Sequence, residues 1–192
     1  MSPDQDVTQW LRQMSEGNPA ALDRVVALLY DELRAMARSR LADERKGHTL
    51  SATAVVNEVY LKLARQHRIA APDRTRFLAV AANTMRRVLV DYARTRRRAK
   101  RGSGDANVPI EDVEHLILSD TEADEVLALD AALTRLAEIN PRGAEVVQQR
   151  FYAGLSLEDT AALLGVSTKT IQRDWIAARA WLRKEVAREL DL

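Results

Sequence analysis

The sequence predicts an all-α protein, and three observations lead to that fold class. Aromatic residues make up only 5% of the chain and glycine only 7 of its 192 residues, whereas alanine, leucine and arginine are abundant. Those three abundant residues favour helices over strands. Apolar residues also recur at steps of three and four along most of the chain, which places them on one face of a helix. A hydrophobic content of 46% is enough to bury a core.

The first hundred residues are predicted to form four helices. A short helix ends before Gly17, and a second follows over residues 19–42. A third is expected to begin after Ser51 or Thr53, either of which can act as its N-cap, and to end near residue 65. After a loop that contains Pro72, a long fourth helix continues into arginine-rich sequence. The inner face of this fourth helix is expected to carry Phe77, Ala81, Met85, Val88 and Tyr92.

The net charge of +1, from 29 basic and 28 acidic residues, hides blocks of opposite charge. Taken alone, that balance argues against a nucleic-acid binder, because affinity for phosphate needs concentrated positive charge. Residues 86–101, however, hold eight basic residues and one acidic residue, a net charge of +7. The adjoining residues 102–125 hold eight acidic residues and no lysine or arginine. We therefore predict an acidic linker over residues 102–124, between domains at 1–101 and 125–192.

The second domain is predicted to begin with two helices. Leucines at positions 129, 133 and 136 follow helical spacing, and Asn140 with Pro141 marks the start of the next helix. Residues 155–182 then predict a helix-turn-helix, because Ser156 can cap the first helix, Gly165 can end it and Ser167 can cap the second. In this motif the second helix enters the major groove of DNA. An ordinary helical hairpin with a solvated outer face is the alternative.

The two faces of that second helix differ in chemistry. The buried stripe is expected to consist of Ile171, Trp175, Ala178 and Leu182. The side chains left on the outer face are Lys169, Gln172, Arg173, Ile176 and Arg179. Arginine, lysine and glutamine are able to address guanine, phosphate and adenine, respectively, so the outer face is suited to reading DNA.

Composition excludes several other kinds of site. The chain has no cysteine, which removes disulfides, thiolate metal ligands and cysteine nucleophiles. Its three histidines, His48, His67 and His115, are scattered without ligand spacing, so we expect no metal and no cofactor. No stretch approaches about 18 uninterrupted apolar residues, and the acidic N-terminus does not resemble a signal peptide. We expect a cytoplasmic protein without membrane insertion.

With both halves considered, the chain resembles an RNA polymerase sigma factor of the extracytoplasmic-function (ECF) type. Residues 127–184, which end in the helix-turn-helix, follow the pattern of region 4 in this family. The run AVVNEVYLKLAR at residues 54–65 resembles the polymerase-binding helix of region 2. Residues 77–98, with the pair Asp91-Tyr92 and the arginines after it, resemble the helix for the minus-10 promoter element. The resemblance implies two small helical domains joined by a linker.

The resemblance also implies partners and contact residues. Region 4 is expected to read the minus-35 element through Lys169, Thr170, Gln172, Arg173 and Arg179. Contacts to the minus-10 DNA are expected from Arg86, Arg87, Arg94, Arg97, Arg98 and Arg101. Docking on the β′ clamp helices of core RNA polymerase is expected from Asn57, Glu58, Leu61 and Lys62. The β flap, duplex promoter DNA and the opened minus-10 strand complete the expected partners, and an anti-sigma factor is left open.

The sequence departs from the family at the place where an aromatic residue is usual. Val80 and Ala82 stand where many members hold an unstacked promoter base on an aromatic ring. The loop over residues 66–76, with His67, Arg68, Asp73 and Arg74, is therefore the next candidate for capturing such a base.

Three classes of function each explain part of the sequence. The favoured one is a dissociable specificity subunit of RNA polymerase, with no catalytic residue of its own. A conventional helix-turn-helix regulator, which binds an operator as a dimer, leaves the basic fourth helix unexplained. A DNA-modifying enzyme needs a formed catalytic site, whereas the acids here concentrate in the linker. A further hypothesis places acids 111–125 against a basic DNA-binding face of the free protein, and a solvated tether is its alternative.

Overall fold

A computed structural model describes residues 3–18, 20–39, 48–66, 69–100 and 118–191, and this part of the chain contains helices and no strand. The predicted all-α fold class is confirmed. The first half contains α1 (Pro3–Ser15), α2 (Ala21–Leu28), α3 (Tyr30–Arg38), α4 (His48–Ala64) and α5 (Arg74–Lys100). The second half contains α6 (Asp120–Ile139), α7 (Pro141–Val147), a π-helical turn (Gln148–Tyr152), α8 (Leu157–Leu164) and α9 (Thr168–Glu189).

The predicted second helix over residues 19–42 is wrong in one respect, since two helices, α2 and α3, occupy most of that range. The chain bends at Leu29, which has φ −103° and ψ 12°. Hydrogen bonding continues across the bend, because the Leu29 N–H bonds the Val25 carbonyl and the Leu33 N–H bonds the Leu29 carbonyl. Leu29 is itself buried, so the apolar spacing is uninterrupted and gives no sign of the bend. Residues 40–42 of the prediction lie outside the described residues.

The third predicted helix begins earlier than expected, whereas the inner face of the fourth is largely as predicted. Helix α4 begins at His48, so neither Ser51 nor Thr53 is its N-cap. The hydroxyl of Thr53 instead accepts a hydrogen bond from the Tyr30 hydroxyl at 3.4 Å.

Helix α5 follows Asp73, whose carboxylate accepts the Arg76 N–H at 2.8 Å and so caps the helix. Its predicted inner face is buried except at Tyr92, which is partly buried.

Helix α6 begins earlier than the predicted domain boundary. Ser119 and Glu122 form a capping box: the Ser119 hydroxyl accepts the Glu122 N–H at 3.3 Å, and the Glu122 carboxylate accepts the Ser119 N–H at 2.6 Å. Residues 120–124 were predicted as part of the linker, but they form the first turn of α6 and the start of its second turn. Acidic side chains stabilise the N-terminus of a helix. A high density of acidic residues is therefore as typical of the start of a helix as it is of a linker. Residues 101–117 lie outside the described residues.

The predicted start of α7 is confirmed by its cap. The Asn140 side chain accepts the Gly143 N–H at 2.9 Å, and Pro141 occupies the first turn. A Cβ atom at position 143 would lie 2.4 Å from the amide nitrogen of Asn140, so a larger residue there would require the capping side chain to shift. The π-helical turn that follows α7 was not predicted. Its Phe151 and Tyr152 rings pack edge to face with centroids 5.0 Å apart.

The two halves of the chain meet along α5. Helix α5 packs against α6 and against the π-helical turn. A single cluster of buried apolar side chains includes Phe77 and Met85 from α5 and Leu133 and Leu136 from α6. The surface of α5 that carries the predicted DNA-binding arginines is therefore partly an interface within the protein.

Candidate nucleic-acid and polymerase interfaces

The helix-turn-helix forms with the caps that the sequence predicted. The Ser156 hydroxyl accepts the Asp159 N–H at 2.9 Å at the start of α8. Gly165 ends α8 with φ +66°, a left-handed conformation that glycine adopts without a Cβ clash. The Ser167 hydroxyl accepts the Thr170 N–H at 3.2 Å and starts α9. These local hydrogen bonds set the angle at which α9 leaves the turn.

The inner face of α9 is held by apolar packing. Ile171, Ala178 and Leu182 are buried, and Trp175 is partly buried, as predicted. Ile171 forms a small cluster with Val146 of α7 and Ala161 of α8. The guanidinium of Arg150 in the π-helical turn also lies 5.7 Å from the centroid of the Trp175 ring. These contacts fix the rotation of α9 about its own axis and so decide which side chains point outward.

Four of the five residues predicted to contact the minus-35 element are exposed on one face of α9, and these are Lys169, Gln172, Arg173 and Arg179. The fifth, Thr170, is partly buried, and its hydroxyl lies 2.9 Å from that of Ser167. It therefore contributes to the cap. Ile176 is 61% exposed on the same face as the four. A face with amide, guanidinium and methyl groups can both donate hydrogen bonds to bases and contact a thymine methyl.

An ion pair between a buried carboxylate and a half-exposed arginine anchors α9, and it was not predicted from the sequence. Asp174 is only 7% exposed, and the Arg142 guanidinium donates to its carboxylate at 2.6 Å. That hydrogen bond and the attraction between the charges raise the pKa of Arg142 above its ordinary value. A signal was available: Asp174 follows Ile171 by three residues and precedes Ala178 by four, which places it on the buried stripe.

The predicted polymerase-binding residues lie together on the outer face of α4. Asn57 is exposed and Leu61 is 46% exposed, whereas Glu58 and Lys62 are partly buried. The Lys62 ammonium pairs with Asp91 of α5 at 2.9 Å. The opposite side of α4 is buried in the core through Val55, Val56, Val59 and Leu63.

The six arginines predicted to contact minus-10 DNA have different surroundings. Four of them are exposed on α5, and these are Arg87, Arg94, Arg97 and Arg98. Arg86 is partly buried and pairs with Asp130 of α6 at 2.7 Å. Arg101 lies outside the described residues. A neighbouring arginine that was not among the six, Arg96, pairs with Asp120 at 2.7 Å.

The loop predicted as a site for a captured base is only partly described. His67 and Arg68 lie outside the described residues. Asp73 caps α5, and Arg74 pairs with Glu32 of α3 at 2.6 Å. The described residues of this loop therefore take part in holding the fold. In α5, Ala82 is buried and Val80 is partly buried, so neither offers an exposed stacking surface.

The described part of the chain lacks two other kinds of feature. None of its clusters of histidine and acidic side chains is suited to holding a metal ion. None of its helices combines the length and apolar character needed to cross a membrane.

Comparison with known families decides between the classes of function. A family model described as ECF sigma factor matches residues 4–188, from α1 to the last turn of α9. The chain belongs to the ECF sigma factor family. The sequence has no significant match among curated proteins.

Membership of the ECF sigma factor family accounts for both basic helices together. ECF sigma factors are non-catalytic transcription factors that act in transcription initiation, with RNA polymerase and promoter DNA as partners. The family match covers the bundle α1–α5 as well as the helix-turn-helix. An isolated operator-binding domain would account only for the second of these parts.

Proposed function

We propose that this ECF sigma factor docks on core RNA polymerase through α4, contacts the minus-10 element through α5 and reads the minus-35 element through α9. The observation that carries the proposal is the family match over residues 4–188, which includes all three helices. The roles of the individual residues rest on their exposure and chemistry, taken one helix at a time.

The reading role of α9 is supported by the side chains on its outer face. Gln172 and Arg173 are exposed near the N-terminal end of the helix, where a helix-turn-helix contacts base edges. A glutamine can bond adenine and an arginine can bond guanine, each with two hydrogen bonds. Ile176, one turn further along, adds an apolar surface for a thymine methyl. Lys169 and Arg179 are exposed before and after these three residues, and we assign them to the phosphate backbone.

The docking role of α4 is supported by Leu61. Leu61 is 46% exposed next to the polar Asn57 and Lys62, so the free protein leaves apolar area on this face. A partner helix that covers it would bury apolar area, which stabilises a complex by about 25 cal/mol per Å². We assign this face to the β′ clamp helices, and the β flap to the C-terminal half of the chain.

Replacement of Leu61 tests the docking role directly. Leu61→Asp should weaken binding to core polymerase at least about tenfold, since it places a charge where apolar area is buried. Leu28→Asp is the matched control, because Leu28 is also exposed, at 44%, but lies on α2. Binding is measured by fluorescence anisotropy of the labelled sigma factor titrated with core polymerase. Equal affinities of the two variants for core polymerase would contradict the assignment of α4. If the unmodified protein bound promoter DNA but had no affinity for core polymerase, the operator-binding regulator would be favoured.

A further inference from the structure

We propose that α6 acts as an electrostatic latch on α5: Asp120 and Asp130 neutralise arginines of the DNA-binding helix in the free protein, and polymerase or promoter DNA has to displace them. The inference concerns the regulation of the DNA-binding surface, and it rests on the proposed function of α5.

The first contact of the latch is made by Arg86. Its guanidinium donates to the Asp130 carboxylate, with N–O distances of 2.9 and 2.7 Å from Nε and Nη2. It also donates to the Asp130 carbonyl and to the side-chain oxygen of Gln148, both at 3.4 Å. Both charged side chains are less than a quarter exposed, so solvent and salt screen this pair less than an exposed one. Arg86 cannot reach a DNA phosphate while these bonds are in place.

The second contact repeats the first one at the other end of the interface. Arg96 pairs with Asp120 at 2.7 Å. Arg86 and Arg96 are ten residues apart on α5, and Asp130 and Asp120 are ten residues apart, in the opposite order, on α6. Because the two helices run antiparallel, one register allows both ion pairs to form. The two ion pairs lie about 15 Å from each other along the helix axes. Arg94 adds a weaker contact to Asp130 at 3.9 Å.

Carboxylates and phosphates compete for the same arginines on α5. A guanidinium binds either anion through the same fork of N–H donors. Asp120 and Asp130 therefore occupy donors that a phosphate would use, and their displacement by DNA replaces one set of charge-assisted hydrogen bonds with another. The acids of the latch lie on α6, and only Asp120 falls within the acidic segment 111–125 that the sequence analysis considered for this role.

The interface also contains a feature that favours its opening. Gln148 is buried at 6% exposure where α5 meets the π-helical turn. Its oxygen accepts from Arg86, but its amide nitrogen has no hydrogen-bond partner among the described residues. A buried donor without a partner costs free energy that is recovered when water reaches it. The closed arrangement is thus stabilised by apolar packing and two ion pairs and opposed by this amide.

A distance measurement on the full chain without polymerase or DNA tests the latch. The chain has no cysteine, so Gln9→Cys on α1 and Ala162→Cys on α8, both at exposed positions, can be labelled specifically for single-molecule energy transfer. The test variant is Asp120→Asn with Asp130→Asn. The matched control is Glu125→Gln with Glu138→Gln, which removes the same two charges from exposed positions of the same helix.

The wild type and the control should populate one short distance at low salt, whereas the test variant should add a longer one. The test variant should also bind a 20-base-pair duplex of arbitrary sequence at least about threefold more tightly than the control does, because two more arginines are available to phosphates. The exchange Arg86→Asp with Asp130→Arg keeps opposite charges at the first contact and should show only the short distance, as the wild type does. Identical distance distributions in the test variant and the control, or a longer distance in the exchange variant, would overturn the latch. Promoter-dependent initiation is a separate readout, so the latch and the proposed function can fail independently.

Discussion

At the scale of single residues, the ion pair between Arg142 and Asp174 helps to hold α9 against the rest of the protein. Asp174 is buried in the inner stripe of α9, whereas the side chain of Arg142 is 49% exposed. The two partners are therefore not equivalent, since only the carboxylate would be left without solvent if the pair were broken. Burial of an unpaired charge is costly, whereas an exposed arginine is readily solvated.

The loss of Arg142 should therefore destabilise the protein more than the loss of the charge on Asp174. We expect Arg142→Ala to lower the free energy of unfolding clearly more than Asp174→Asn does, because the carboxylate keeps only the 3.7 Å contact to Arg173. Asp174→Asn should lower the free energy of unfolding by less, since the half-exposed Arg142 side chain can turn to solvent. Urea denaturation measures both, with Arg12→Ala at an exposed position of α1 as the control for a lost arginine. A larger loss for Asp174→Asn would contradict this account of the pair.

At the scale of elements, local signals in the sequence predicted the helix ends better than the bends. Asn140, Ser156, Gly165 and Ser167 each mark an end, because capping depends on a few adjacent residues. The bend at Leu29 and the π-helical turn after Val147 could not be predicted in this way. Both keep the apolar spacing of a continuous helix, and tertiary packing decides the local hydrogen-bond pattern.

Helix α5 should dominate the salt dependence of DNA binding. Arg94, Arg97 and Arg98 are exposed, and their replacement by glutamine removes three charges that can meet phosphates. The slope of log affinity against log salt for duplex DNA should become less negative by about 2–3, since each phosphate contact contributes about 0.9. Affinities over a salt series measure the slope. The matched control replaces Arg12, Arg24 and Arg38, which are exposed on α1–α3, and an equal change of slope there would refute the role of α5.

At the scale of the whole molecule, the near-zero net charge and the core shared by the two halves are linked through the contact between α5 and α6. The net charge of +1 conceals a basic α5, and part of that helix lies against the acids of α6. The contrast between the two charge blocks was visible in the sequence, as were the outer faces of α4 and α9. The pairing of Arg86 with Asp130 was not visible, because it depends on the packing of two helices that are separated in sequence by residues 101–119. Sequence spacing alone contains no information on that register.

The most direct test of the proposed sigma activity is reconstitution with core RNA polymerase on genomic DNA, followed by mapping of transcript 5′ ends. The predicted result is a set of start sites that require this protein and share a two-part upstream motif. Use of these sites should fall at least about tenfold for Arg173→Ala, which removes an arginine that we propose to contact a base, and remain unchanged for Arg12→Ala. The absence of any start site that depends on the protein would contradict the proposed function.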